Sequence, residues 1–117
     1  MNGSALVIDV RRGGAAEVLE LRGELDLTNA EELDEALSQA DGGTVILDLG
    51  GLSFIDSAGM RAIDQAHRRL AEAGRTLLVA APEESRAGWT FRVAGFGDDF
   101  LLESVELALL RAAGAPG

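Results

Sequence analysis

The chain has no cysteine, two prolines, one histidine and one tryptophan among its 117 residues. Without cysteine there are no disulfides and no thiolate metal sites, which fits a reducing compartment. The fifteen glycines are scattered without period, so no repeat or low-complexity tract is present. Basic residues are scarce: ten stand against twenty acidic ones, for a formal charge of −10. A phosphate backbone repels such a surface, and so do anionic headgroups, so nucleic-acid binding is not expected. Long hydrophobic runs are also missing. The stretch 77–81 is far too short to span a bilayer, and Met1-Asn2-Gly3-Ser4 lacks the basic-then-apolar order of a signal peptide. A cytoplasmic protein with no membrane insertion is expected. The acidic excess itself needs no meaning beyond solubility.

What is present suffices for one core. With 47% apolar residues, the chain reads as a single domain over 1–117, its core at about 5–111 and a frayed tail at 112–117. Residues 6–10 and 17–21 read as an N-terminal hairpin around Arg11-Arg12-Gly13-Gly14. Thr28-Asn29-Ala30-Glu31 has capping-box spacing, with Ala30, Leu33, Leu37 and Ala40 at helical spacing behind it and Asp41-Gly42-Gly43 as the stop. The run 44–49, interrupted only by Asp48, reads as a strand buried on both faces. Gly42-Gly43 and Gly50-Gly51 read as turns. A second helix begins at Asp56 or Ser57 and runs to about Ala73, with Met60, Ile63, Ala66 and Leu70 inward, and Gly74 ends it.

Residues 76–80 form the next buried strand. Pro82, Glu83 and Glu84 make the first turn of a third helix that ends at Gly95. Residues 100–102 read as an edge strand, and Ser104 caps a last helix through Leu110. The sum is an α/β fold: a mixed, mostly parallel sheet with an antiparallel N-terminal strand, covered by about four helices. Parallel sheets bind partners beyond the carboxyl ends of their strands. Asp26, after the second strand, and Ser57, after the third, sit at such ends.

Several chemistries are excluded. His67 lies on the edge of the second helix's apolar stripe, and a metal there would need three carboxylates beside it. Ser57 and His67 stand ten residues apart on one helix, about 15 Å by helical rise, so they cannot form a Ser-His-Asp triad. No G-x-x-x-x-G-K-[ST] loop occurs, and no G-x-G-x-x-G opens a helix after a strand. Asp98-Asp99 and Glu31-Glu32 read as solvated or helix-start charges. Trp89 is expected to pack under the C-terminal helix, with a partner contact as the alternative. No catalytic residue, cofactor or metal is expected.

Ser57 follows a buried strand at the start of a helix and precedes Ala58 and Gly59. Capping is one use of a serine there. A glycine two residues into a helix, however, costs about 1 kcal/mol relative to alanine. It points to something that approaches the backbone closely, a phosphate at the helix N-terminus being one candidate.

Leu52-Ser53-Phe54-Ile55-Asp56-Ser57-Ala58-Gly59-Met60 resembles the phosphorylation loop of bacterial anti-sigma-factor antagonists, members of the STAS domain family. Gly23-Glu24-Leu25-Asp26-Leu27-Thr28-Asn29-Ala30 resembles the family's G-E-L-D-x-x-T-A segment. Val45-Ile46-Leu47-Asp48-Leu49 resembles its central strand, and Phe91-Arg92-Val93-Ala94-Gly95-Phe96 its late F-x-x-x-G-L. The D-S-x-G element alone is unspecific; four elements in register, over about residues 5–111, are not.

The resemblance implies partner switching. The unphosphorylated antagonist binds an anti-sigma factor with serine kinase activity and so frees a sigma factor. Phosphorylation of Ser57 ends that binding, and a PP2C-type phosphatase restores it. Asp56, Ala58, Gly59 and Met60 would shape the loop and its contact surface, joined by Asp26 and Thr28. Ala58 stands where many relatives carry a second serine, which leaves Ser57 as the loop's acceptor. The alternatives are a non-switching STAS subunit of a lipid or anion transporter, and a nucleotide-binding sensor module of the same fold.

Overall fold

The computed structural model describes residues 5–95 and 100–114. The expectations placed on Met1 to Ser4, Phe96, Asp98-Asp99 and residues 115–117 lie outside them. The described elements run β1 (Leu6–Arg12), β2 (Glu17–Leu25), α1 (Ala30–Gln39), β3 (Thr44–Ile55), α2 (Ser57–Glu72), β4 (Thr76–Ala80), α3 (Arg86–Ala94), β5 (Leu101–Leu102) and α4 (Val105–Gly114). The strands lie side by side in chain order, β1 antiparallel to β2 and every later pair parallel. This is the expected α/β sheet.

Because the strand order never reverses, right-handed crossovers place α1, α2 and α3 on one face. The burial pattern agrees. Leu33 and Leu37 of α1, Ile63 and Ala66 of α2, and Phe91 of α3 share a core with Leu19, Leu47, Leu77 and Val79. The alternate residues Val18, Ile46, Leu78 and Ala80 point the other way and meet Ala108 of α4. Strands β3 and β4 are thus apolar on both faces, as an unbroken apolar run requires.

Four local expectations are corrected. Gly50-Gly51 is not a turn: β3 continues through it to Ile55, at a register shift against β2 between Glu20 and Arg22. A glycine pair inside a strand marks such an irregularity. Pro82 does not open α3. Residues 82–85 form a turn closed by Ser85 N–H to the Pro82 carbonyl (2.9 Å), and Ser85 caps the helix by accepting from Gly88 N–H at 3.1 Å. Trp89 is 55% exposed and does not pack under α4. It stands two residues, about 200°, from the buried Ala87 and so faces outward. Last, α4 extends beyond Leu110 to Gly114, with Ser104 accepting from Leu107 N–H as expected; Ala113 is therefore helical.

His67 takes a structural place. Its ring meets Phe100 edge-on at 4.3 Å, and its buried Nδ1 has no hydrogen-bond partner among the described residues. No described helix is long and apolar enough to cross a membrane.

Candidate functional site

The site begins where β2 and β3 end together, Leu25 beside Ile55. Reaching that register requires a bend in β2 at Gly23, where the backbone takes φ +97° and an added Cβ would fall 1.9 Å from the Ala5 carbonyl oxygen. Only glycine accepts both conditions. Ser53 fastens the two strands by donating its hydroxyl to the Gly23 carbonyl at 3.1 Å.

Beyond these ends the chain leaves β2 through Asp26-Leu27-Thr28 and leaves β3 through Asp56. The backbone N–H of Asp56 donates to the Leu25 carbonyl at 3.3 Å. Its carboxylate then serves two elements. Oδ1 accepts from Gly59 N–H at 2.8 Å and so caps α2, while Oδ2 accepts from Leu27 N–H at 3.3 Å across the gap. Capping offsets the free N–H groups at the helix start, and the second bond ties the β2 exit loop to that start.

The capping box expected at Thr28 is not formed. Asn29 occupies the N-cap of α1 without a side-chain cap bond. Thr28 instead donates its hydroxyl to Asp26 Oδ1, which also accepts from Thr28 N–H at 2.9 Å. The Asn29 side chain, 3% exposed, faces back into the loop. It accepts from Asp26 N–H and donates to the Glu24 carbonyl, both at 2.9 Å. A buried amide with its groups paired inside a turn fixes that turn more firmly than a cap would.

Ser57 is the first residue of α2, and Asp56, not Ser57, is its N-cap. The Ser57 side chain is exposed, and its hydroxyl engages no other described residue. Ala58 is half-buried beside it, while Gly59 and Met60 are buried. What approaches Gly59 closely is the chain itself: an added Cβ would lie 3.0 Å from both the Leu25 carbonyl oxygen and Leu25 Cγ. The close approach read from the sequence is therefore internal packing.

The fold thus gathers Asp26, Thr28, Asp56, Ser57 and Ala58 at one edge of the surface, with Gly59 and Met60 beneath them. Sequence reasoning missed Leu27, which is 78% exposed on the tied loop between Asp26 and Thr28. Its signal was a leucine in a turn of polar residues. Phe54, the residue before the last of β3, is also exposed. Among the described residues no group of three or more metal-ligating side chains converges.

An anti-sigma factor antagonist from Mycobacterium paratuberculosis is similar in structure at a TM-score of 0.81 and 19% identity, covering 92% of this chain and 94% of that one. The anti-sigma factor antagonist SpoIIAA in its unphosphorylated form is similar at 0.70 and 23%, covering 95% and 100%. A sulfate transporter family protein from Wolinella succinogenes is similar at 0.68 and 22%, covering 85% of each chain. No curated protein sequence gives a significant match. At these identities the structural likenesses speak for the fold. The model of the STAS domain matches residues 7–108, nearly the whole described sheet and its helices. The chain belongs to the STAS domain family.

Proposed function

We propose that this protein is a cytoplasmic anti-sigma-factor antagonist that works by partner switching, with Ser57 as the phosphoacceptor. One observation carries the reading: Asp56 does the capping at the start of α2, which leaves the Ser57 hydroxyl exposed one residue later and unengaged by any described residue. A serine needed for the fold would be bonded there.

In this reading the unphosphorylated surface around Asp26, Thr28, Ser57 and Ala58 binds an anti-sigma factor that is also a serine kinase. Gly59 and Met60 hold its shape from below. The kinase transfers the γ-phosphoryl group of ATP to Ser57 Oγ, ADP leaves, and the hydroxyl proton passes to a base of the kinase. The phosphate brings about −1.5 to −2 charges next to the carboxylates of Asp56 and Asp26. A helix N-terminus tolerates that charge, but a packed interface must desolvate it, which is unfavourable. Binding is lost without refolding, and a PP2C-type phosphatase resets the surface by hydrolysis. The chain supplies the acceptor and no catalysis of its own.

The test is to incubate wild type and Ser57→Ala with the cognate kinase and ATP and to map phosphate by mass spectrometry. Phosphate on Ser57 alone is expected. Phosphate on Ser53 or Ser85, or on the variant, overturns the assignment. The likeness to a sulfate transporter family protein favours one second reading, a STAS module held permanently by a transporter. Under it Ser57 accepts no phosphate, and Ser57→Asp binds the partner as tightly as Ser57→Ala.

A further inference from the structure

Among the described strands the sheet ends at β1 on one side and at the two-residue β5 on the other, and the hydrogen-bonding parity of β1 can be read off its two ends. Glu24 N–H donates to the Ala5 carbonyl at 3.2 Å, and Gly13 N–H to the Ala16 carbonyl at 2.8 Å. Between them the β1–β2 register is unbroken, Leu6 opposite Gly23 through Arg12 opposite Glu17. In an antiparallel pair, hydrogen-bonded and non-hydrogen-bonded residues alternate. Odd-numbered residues of β1 therefore bond inward to β2. The N–H and C=O groups of Ile8, Val10 and Arg12 point outward, away from β2.

Such an edge is a template for another strand unless charges or bulges block it. Here the charges complement themselves. Asp9 and Arg11 share one face of β1, two residues apart and opposite in sign, and both are exposed. Asp9 is paired with Arg22, and Arg11 engages no carboxylate of the described residues. Val10 between them is 58% exposed.

We infer that a second copy of this chain pairs with it through β1, antiparallel, about a two-fold axis at Val10. In that register Val10 faces Val10 of the second copy and Ile8 faces its Arg12. Both are hydrogen-bonded positions, so the outward backbone groups of each strand meet. Asp9 then faces Arg11 of the second copy, and Arg11 its Asp9, at the non-hydrogen-bonded positions where side chains lie closest. A carboxylate has acceptor sites for two cations, so the Arg22 pair is kept. Moving the axis one residue, to Asp9 or Arg11, sets like charges opposite each other, and moving it two, to Ile8, sets Asp9 against Val7 and loses both charge matches. The sequence therefore selects one register. Each surface patch contacts its own copy, as a closed two-fold dimer requires. The Ser57 site lies beyond Leu25 and Ile55, outside the paired segment 8–12, so this inference does not depend on the proposed switch.

The test is sedimentation equilibrium of the full chain over about a hundredfold range of concentration. The mean mass of wild type should climb from 12.2 kDa toward twice that value. Val10→Pro should stay at the monomer mass with its thermal midpoint little changed, because the lost N–H points away from β2. Arg11→Asp, which sets like charges opposite, should also remain monomeric, and it decides the matter if the proline variant does not fold. Since the chain has no cysteine, an oxidised mixture of Asp9→Cys with Arg11→Cys should cross-link faster than either variant alone. A wild-type monomer at every concentration, an undiminished dimer in folded Val10→Pro or Arg11→Asp, or no preference in cross-linking would overturn the inference.

Discussion

Gly59 shows two opposing effects at one residue. Alanine is favoured over glycine inside a helix by about 1 kcal/mol. At this position, however, its Cβ would lie 3.0 Å from the Leu25 carbonyl oxygen, a rigid backbone atom, and overpacking costs about 1–3 kcal/mol. Packing should win. Gly59→Ala is expected to lower the thermal midpoint, and a raised midpoint would show that β2 can yield. Asp56 presents a different choice, since its two oxygens serve two elements. Asp56→Ala should cost about 0.5–2 kcal/mol as a lost cap. Asp56→Asn can keep the Gly59 bond with its one carbonyl oxygen but offers Leu27 N–H no second acceptor. Hydrogen exchange of the Leu27 amide should therefore quicken in Asp56→Asn while global stability changes little; unchanged exchange would mean the loop stands without the clamp. At Ser57 an added carboxylate gains about 0.3–1 kcal/mol from the helix end, offset by repulsion from Asp56. Ser57→Asp should melt close to wild type yet lose partner affinity, about tenfold for each 1.4 kcal/mol. Lost binding through unfolding would make Ser57 structural instead.

Elements were legible in the sequence where burial imposes a period. The inward residues Met60, Ile63, Ala66 and Leu70 of α2 are buried as the 3.6-residue spacing predicts, and Gly74 and Gly95 follow helix ends with positive φ. The starts of α1 and α3 were not legible, because several polar residues near each could cap it. Thr28 is closer to a standard capping motif, but Asn29 can reach both Asp26 N–H and the Glu24 carbonyl, and that choice depends on where β2 ends. Continuation of β3 past Gly50-Gly51 was hidden for a related reason: its support is β2 alongside, far off in sequence. The exposure of Leu27 likewise depends on a tertiary bond to Asp56. Asn29→Ala tests this coupling between elements. It takes the partners from the Asp26 N–H and the Glu24 carbonyl, which are partly buried and cost up to about 1–3 kcal/mol each when left unpaired, so a loss beyond that of a simple cap is expected in urea unfolding. A loss under about 1 kcal/mol would mean that water replaces the amide.

For the molecule as a whole, twenty acidic residues against ten basic set the response to salt. The ion pairs of the surface, such as Arg69 with Asp34, are exposed on both sides and are worth about 0–1 kcal/mol each. Self-repulsion of the excess carboxylates acts over the entire body. Raising sodium chloride should therefore raise the thermal midpoint, and a falling midpoint would show that the pairs outweigh the repulsion. The order of strands was predictable only in part: alternating β and α patterns imply a parallel sheet, but nothing local says that the order never reverses. That order has a kinetic consequence. With each strand placed beside the one before it, every new strand meets a neighbour already made, although each parallel pairing still joins residues as distant as Glu17 and Val45 or Thr44 and Thr76 and closes slowly for that reason. The sheet can grow at one edge as the chain emerges from the ribosome, each crossover helix covering the first face in turn. The second face must wait for α4. Until Ala108 arrives, Val18, Ile46, Leu78 and Ala80 form a bare apolar strip on an otherwise finished domain. A chain halted before Val105 should bind a hydrophobic dye and self-associate, and completing α4 should abolish both.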